Sequence, residues 1–282
     1  MNNSLLRNAA RIIADNPVTL LAFLLFAGLV FLAIFGPALA PYDPIASNVA
    51  NALKPPSAQH WFGTDHLGRD LFSRVIVATR MDMMIAVTAV GLSFAIGSAI
   101  GAAVGYAGGM ADNIVSRITD MLMAFPLFVM AMALVAAFGN SVINIIYATA
   151  FINLPFYIRI ARAEVNLRRN AGYVQAARLS GNSHRHIVLA VLLPNILPTL
   201  VVQMSLNMGW AILNAAGLSF IGLGVRPPTP EWGIMVAEGA TFITGGRWWP
   251  ALFPGLALVI TVFCFNLLGD GLRDIVDPRR RT

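Results

Sequence analysis

Six long apolar stretches divide the chain, and each is close to the roughly 20 residues that a helix needs to cross a bilayer. They predict helices at about 18–40, 81–107, 119–138, 142–160, 196–221 and 251–268. Pro126 and Pro155 fall inside two of them, which membrane helices tolerate because neighbouring groups satisfy the freed backbone. The first stretch exceeds the apolar core of a signal peptide, about 7–15 residues, so we expect it to be retained.

Composition agrees with this pattern. Hydrophobic residues make up 57% of the chain and charged residues 11%, and the mean hydropathy is +0.72. Soluble domains carry about 25% charged residues because their surfaces must be solvated. The sequence therefore predicts an all-α polytopic membrane protein with about six transmembrane helices.

The basic residues set the expected orientation. All of them except Lys54 are arginines, and they lie between the apolar stretches rather than along one face, which argues against nucleic-acid binding despite the net charge of +6. Basic residues concentrate on the cytoplasmic side of membrane proteins. With both termini in the cytoplasm, the inner side holds the larger set: Arg7, Arg11, Arg117, Arg159, Arg162, Arg168, Arg169, Arg178, Arg185, Arg273, Arg279, Arg280 and Arg281. The outer side then holds Lys54, Arg69, Arg74, Arg80, Arg226 and Arg247.

Two regions follow from this layout. Residues 1–80 comprise an N-terminal cytoplasmic segment, the first transmembrane helix and an outer segment, and residues 81–282 form a five-helix core with a cytoplasmic loop at about 161–194. In the second helix, Gly97, Gly101 and Gly105 recur every four residues, a pattern that lets two helix backbones approach closely.

The loop between the fourth and fifth helices is predicted to form a compact projection. A short helix from Ala171 to Ser180 is expected to stop at Gly181, since glycine readily takes a left-handed conformation. Ser183 is expected to cap a second short helix, whose exit Pro194 marks.

An energy source within the chain is not expected. A P-loop requires Gly-Lys-Ser/Thr, and the only lysine, Lys54, stands between Leu53 and Pro55. An ion-coupled carrier usually places ionisable groups at mid-membrane. The candidates here, Asp82, Asp112, Asp120 and Asp270, fall at or beyond the predicted helix ends.

An enzyme is not expected either, because the chain lacks a Gly-x-Ser-x-Gly elbow, a His-Glu-x-x-His pair and a Cys/His cluster. His184 and His186 are two residues apart, so on a helix they would not face a common metal. We expect no catalytic residue and no metal site.

The fifth helix offers a candidate lining for a solute pathway. A spacing of four, three and four residues places four polar or aromatic side chains on one face: Gln203, Asn207, Trp210 and Asn214. Such a face could line a passage for a polar solute, or its amides could form hydrogen bonds between helices.

The run Gln175-Ala176-Ala177-x-x-x-Gly181, followed after nine residues by Val191-x-Leu-Pro194, resembles the EAA loop of ABC importer permeases. That resemblance implies that the loop docks onto a separate ATPase. Its expected coupling residues are Tyr173, Gln175, Ala176, Ala177, Gly181 and Pro194. The family usually has Glu where this chain has Gln175, so an ion pair with the ATPase at that position is not expected.

Three further stretches are similar to the C-type permeases of dipeptide, oligopeptide and nickel importers. They are Phe62 to Asp70, Leu218 to Gly224 with Pro227 to Gly233, and Asn266 to Asp274 with Asp277-Pro278-Arg279. The resemblance implies a multi-pass inner-membrane subunit that works with a second permease, two ATPase subunits and an extracytoplasmic binding protein. ATP and Mg²⁺ would bind the ATPase, leaving this chain without a cofactor. Di- or oligopeptides are the expected solutes, with nickel or another small solute as the alternative and an ion-coupled carrier as a distant one.

Overall fold

The computed structural model describes residues 16–276, which form a helical bundle without a β-strand in that range. The long helices are α1 (Pro17–Leu39), α2 (Leu71–Ala107), α5 (Val142–Arg168), α7 (His184–Phe220) and α9 (Trp249–Val276). The shorter ones are α3 (Gly109–Ala124), α4 (Leu127–Phe138), α6 (Gly172–Leu179) and α8 (Trp232–Ala240). The terminal arginines of the topology argument, Arg7, Arg11 and Arg279 to Arg281, lie outside the described residues, as does Asp277-Pro278-Arg279.

Five helices, α1, α2, α5, α7 and α9, are long and apolar enough to cross a membrane. The pair α3–α4 also qualifies as a single broken span, because its two halves are bent by 90° across a short break. Counting that pair, the described residues hold the six spans that the apolar pattern predicts.

The predicted start of the second helix was wrong. α2 begins at Leu71, ten residues before Met81, and Asp70 caps it by accepting a hydrogen bond from the Ser73 amide at 2.8 Å. Arg74 and Asp82 gave these turns a polar appearance, yet both side chains are buried. Polarity in this segment reflects partners within the protein rather than contact with water.

The prediction of the third helix was also wrong, because it gave one continuous helix where the structure has two, α3 and α4. The helix starts at Gly109 instead of Thr119 and stops at Phe125, whose backbone is extended with ψ 142°. Proline disfavours the helical conformation of the residue before it and has no N–H to donate, so the chain turns at Pro126. Pro155, by contrast, stays inside α5 as expected.

Two other helices extend beyond their predicted ends, whereas the first helix matches its prediction within one residue. α5 continues to Arg168 instead of Ile160, and α9 covers Trp249–Val276 instead of 251–268. Pro194 does not mark an exit: the short helix after Ser183 passes through a π-helical segment, Ile187–Leu192, into the long part of α7, Leu193–Phe220. Pro194 lies in the first turn of that long part, where a missing N–H is readily accommodated.

The glycine repeat of α2 is the closest contact between two long helices. A Cβ atom added at Gly97 would lie 2.7 Å from the Tyr157 Cβ, and one added at Gly101 would lie 2.3 Å from the Ile158 carbonyl oxygen. A Cβ atom added at Gly105 would lie 2.9 Å from the Arg162 carbonyl oxygen. α2 and α5 therefore pack backbone to backbone, as small-xxx-small spacing predicts.

A cap, which we define as residues 40–70 together with α8, covers the end of the bundle where α2 begins. Its centre is a buried ion cluster in which Arg69 contacts Asp65 at 2.5 Å and Glu238 at 3.2 Å. Arg74, also buried, lies 3.6 Å from Asp65 and donates to the Pro44 carbonyl at 2.8 Å. Removing one partner from such a cluster leaves a buried charge uncompensated, which is strongly destabilising.

A second buried polar contact joins α8 to α2. The Trp232 amide donates to Asp82 Oδ2 at 3.2 Å, and the Trp232 indole donates to the Val75 carbonyl at 3.0 Å. Glu231 caps α8 through the amides of Gly233 and Ile234, and its carboxyl group faces that of Asp82. Burial raises the pKa of Glu231 above its ordinary value of 4.5. We expect the two carboxyl groups to share one proton, because two neighbouring buried negative charges are costly.

The acidic residues only partly match their expected places at helix ends. Asp112 lies in the first turn of α3, near a helix end as expected, but Asp120 lies inside the broken span formed by α3 and α4. Asp82 and Asp270, however, lie within α2 and α9, because both helices are longer than the apolar pattern indicated.

The backbone contact of α2 and α5 can be tested by Gly101→Ala. We expect this methyl group to lower the midpoint of thermal unfolding in detergent, because overpacking costs about 1–3 kcal/mol. Gly91→Ala is the matched control, since a Cβ there meets no atom within 4 Å. Equal midpoints for the two variants would contradict the packing described.

The shared proton predicts a pH dependence of stability. A carboxyl group with a raised folded pKa contributes stability that is complete below its unfolded pKa and is lost as pH rises through the folded value. We expect the unfolding midpoint to fall above pH 4.5 as the pH is raised, and Asp82→Asn to flatten that fall, because the amide can donate to ionised Glu231. The exposed Asp120→Asn should leave the profile unchanged; an unaltered profile in Asp82→Asn would refute the shared proton.

Candidate functional site

The knob, which we define as residues 171–186, projects from the end of the bundle opposite the cap. α6 occupies Gly172–Leu179, within one residue of its predicted ends. Gly181 adopts φ +78°, and the amides of Gly181 and Asn182 donate to the carbonyls of Arg178 and Ala177 at 3.0 and 3.2 Å. This is the Schellman stop that glycine favours. Ser183 then caps the next turn by accepting from the His186 amide at 3.3 Å.

One residue of α6 anchors the knob to the bundle. Val174 is fully buried and packs in an apolar cluster with Ile187, Leu192 and Val165. The remaining surface of α6 is largely open, and Leu179 is 90% exposed, an unusual state for a leucine. The knob therefore presents apolar surface on one side, while Val174 packs its other side against the bundle.

The proposed coupling residues divide into two groups. Tyr173, Gln175, Ala176 and Gly181 are exposed together on the knob, and Ala177 is half-buried beside them. Pro194 is exposed on α7, outside the knob. The Gln175 side chain donates from Nε2 to the Asn170 carbonyl at 3.0 Å, so its amide is used within the loop.

Sequence reasoning missed a contact that fixes the knob to α2. Tyr106, in the last turn of α2, has its Oη 3.0 Å from His184 Nδ1 and accepts from Arg178 Nε at 3.3 Å. The Arg178 guanidinium also lies 5.0 Å from the centre of the Tyr106 ring, a cation–π distance. For Tyr106 to donate to His184, Nδ1 must be unprotonated. No spacing rule links Tyr106 to residues more than seventy positions away.

The candidate pathway residues lie along one side of α7. Trp210 is 62% exposed, whereas Asn207 is buried with its Nδ2 unpaired. Gln203 donates to Asn207 Oδ1 at 3.1 Å, and Asn214 donates to the Trp210 carbonyl at 2.9 Å. Both hydrogen bonds stay within α7. These four residues, which we call the stripe, therefore place the exposed Trp210 ring among amide side chains.

One cluster in the cap has the residue types of a metal site. Ligand atoms of Asp65, His66 and Glu238 lie within 4.8 Å of one another. Both carboxylates, however, already contact Arg69, and Arg74 lies close to Asp65. A bound cation would have to displace these guanidinium groups, so the cluster is better described as an internal ion network.

Comparison with known proteins covers most of the chain. Residues 95–282 match the family described as binding-protein-dependent transport system inner membrane component, and residues 4–56 match the N-terminal TM domain of oligopeptide transport permease C. The probable D,D-dipeptide transport system permease protein of Escherichia coli K12 is 43% identical over 264 residues, covering 94% of this chain and 88% of the relative.

Two further relatives give the same picture. The dipeptide transport system permease protein of Alkalihalophilus pseudofirmus is 37% identical over 276 residues, covering 98% of this chain and 90% of the relative. The glutathione transport system permease protein of Escherichia coli O157:H7 is 43% identical over 255 residues, covering 89% and 83%.

The Tyr106 contact predicts how firmly the knob is held. Tyr106→Phe keeps the ring but loses the hydroxyl, so we expect the amides of residues 172–179 to exchange hydrogen roughly fivefold faster, as the loss of about 1 kcal/mol implies. Tyr106→Leu, which also loses the cation–π contact, should exchange faster still. The control is Tyr147→Phe, a change at an exposed ring on α5. Unchanged exchange in both Tyr106 variants would show that Val174 alone holds the knob.

Proposed function

The chain belongs to the family of binding-protein-dependent transport system inner membrane components, and we propose that it forms one half of the translocation pathway of an ATP-driven importer of short peptides. The relatives named for D,D-dipeptides, dipeptides and glutathione support a peptide solute over nickel or another small solute. The same relatives favour an ATP-driven importer over an ion-coupled carrier.

The observation that carries this proposal is the knob. A helix of two turns that leaves Tyr173, Ala176 and Leu179 exposed is suited to the groove of a partner protein. The small side chains of Ala176 and Ala177 keep the helix narrow on that side, so that it can enter a groove. Its occupant in this proposal is the ATPase subunit, onto which the EAA loop of the family docks.

The complete importer would contain this chain, a second permease, two ATPase subunits and an extracytoplasmic binding protein. Hydrolysis of ATP, with Mg²⁺, belongs to the ATPase in this scheme, since the permease sequence has no P-loop. The knob end then faces the cytoplasm together with both termini, and the cap faces the binding protein.

The coupling step follows from how the knob is attached. Val174 packs into the bundle, and Tyr106 bonds to both Arg178 and His184, so movement of the knob is passed to α2 and α7 together. α2 is packed backbone to backbone on α5, so these helices would move as one body. Closure of the ATPase pair would then turn the pathway from inward-facing to outward-facing, and hydrolysis would reset it.

The stripe on α7 is the proposed lining of this pathway. Trp210, Gln203 and Asn214 combine an exposed ring with amide groups, which suits a solute made of peptide bonds. Asn207, buried behind them, would position Gln203.

The first experiment is purification of the tagged chain from its native membrane in mild detergent, with co-purifying proteins identified by mass spectrometry. Recovery of a second permease and a P-loop ATPase is the expected result, followed by ATP-dependent uptake of a labelled dipeptide in proteoliposomes containing the binding protein. A homo-oligomer without ATPase after cross-linking would overturn the proposal.

Gly181→Pro tests the coupling role of the knob. Proline fixes φ near −65°, whereas Gly181 requires φ +78°, so the stop of α6 cannot form. We expect peptide uptake to fall at least tenfold while membrane insertion remains normal. Gly172→Pro is the matched control, because it places proline at the first position of α6 after the extended Ala171, where proline is favoured. Uptake near the unsubstituted rate in Gly181→Pro would remove the knob from the mechanism.

A further inference from the structure

A polar cavity of about 190 Å³ lies between α3 and α5 and belongs to none of the features described so far. Its lining consists of Ser116, Thr119, Asp120, Ile158, Arg159 and Arg162. The volume is below the roughly 300–1,000 Å³ of pockets that enclose a whole drug-sized ligand. It suits a small polar molecule, or the charged ends of a larger one.

The two arginines of this cavity are in different states. The Arg162 guanidinium binds both carboxylate oxygens of Asp112, through Nε and Nη2, and Nη2 lies 2.9 Å from Asp112 Oδ2. Arg159 is exposed, and its Nη1 lies 3.9 Å from the Met123 sulfur. Among the described residues it has no carboxylate partner within 4.0 Å. The Arg162 guanidinium is thus fixed in the cavity wall by Asp112, whereas the Arg159 guanidinium remains available to a ligand.

Asp120 provides the opposite charge in the same cavity. It is exposed, and no described cation lies within 4.0 Å of its carboxylate. Ser116 Oγ is also buried without a hydrogen-bond partner. The cavity therefore offers separate sites for an anionic group and for a cationic group.

The other face of α3 argues against a lipid headgroup as the ligand. Residues spaced four, four, three and four apart form an exposed apolar stripe: Met110, Ile114, Ile118, Met121 and Phe125. This stripe is on the opposite side of the helix from Ser116 and Asp120. If the stripe contacts acyl chains, as exposed apolar faces of such helices do, α3 itself separates the cavity from them. A water-soluble zwitterion is the better match.

We propose that this cavity holds the termini of a peptide on its way out of the pathway, with the carboxylate at Arg159 and the ammonium group at Asp120. The cavity lies towards the knob end of α5, near the level where Arg162 meets Gly105, which is the exit side in the proposed orientation. The proposal rests on the peptide-importer function and adds the part of the solute that this chain recognises.

A cysteine probe beside Arg159 tests the proposal without the binding protein. The chain has one cysteine, the buried Cys264, so Met123→Cys in a Cys264→Ala background gives a single reactive thiol next to the Arg159 guanidinium. The complex of the two permeases and the ATPase subunits, without the binding protein, is treated in nanodiscs with iodoacetamide, with and without millimolar Ala-Ala, and labelling of this chain is followed by mass spectrometry. We expect Ala-Ala to slow labelling at least threefold, and N-acetyl-Ala-Ala-amide, which has no charged terminus, to have no effect.

Variants separate charge recognition from simple blocking. Arg159→Gln and Asp120→Asn, each combined with the probe, should abolish protection by Ala-Ala, whereas Arg159→Lys should retain part of it. Ala46→Cys, at an exposed position of the cap, is the control thiol and should label equally in all conditions.

Three results would overturn the proposal: absence of protection, equal protection by the uncharged peptide, or protection that follows the phosphatidylethanolamine content of the nanodisc instead of the peptide. The last would identify a headgroup site. ATP-dependent dipeptide uptake by the unsubstituted complex is measured in parallel, so failure of the cavity and failure of the importer function are told apart.

Discussion

The contact between α2 and α5 is the constraint on which the rest of the structure depends. Three glycines without side chains let the two helices touch along their backbones, and no larger residue fits at Gly101. Because lipid tails are as apolar as the helices, close van der Waals packing is what holds two spans together in a membrane. This pair carries the cap at one end and the Tyr106 attachment of the knob at the other. Displacement of either helix would disturb both.

The sequence predicted the features that depend on local chemistry. Apolar length located all six spans, Gly181 placed the end of the knob helix, Ser183 placed the start of the next helix, and the four-residue spacing of Gly97 to Gly105 indicated a close helix contact. These signals work because each property resides in a few neighbouring residues. The family resemblance rested on similar short motifs, and the comparisons bore it out over most of the chain.

What the sequence could not show depends on distant partners. Arg74 and Asp82 suggested an aqueous segment because hydropathy does not reveal that Asp65 and Trp232 would bury and bond them. The 90° bend at Pro126 could not be told from the tolerated Pro155, since both prolines sit in apolar stretches. Tyr106 and the Arg159 cavity likewise arise from helices brought together by the fold. The coupling and pathway residues remain predictions, although their exposure suits the roles proposed for them.

The buried polar contacts of the cap also impose an order on biosynthesis. Asp82 enters the membrane early with α2, but the Trp232 amide that bonds it lies 150 residues further along the chain, and Glu238 follows its partner Arg69 in the cap by 169 residues. During translation α2 therefore emerges with the Asp82 side chain before its partner on α8 has been made. A nascent chain in this condition needs shelter from lipid, either at the insertion machinery or beside another subunit. Truncation before α8 would leave Asp82 permanently without this partner, a state that membrane quality-control proteases are suited to detect.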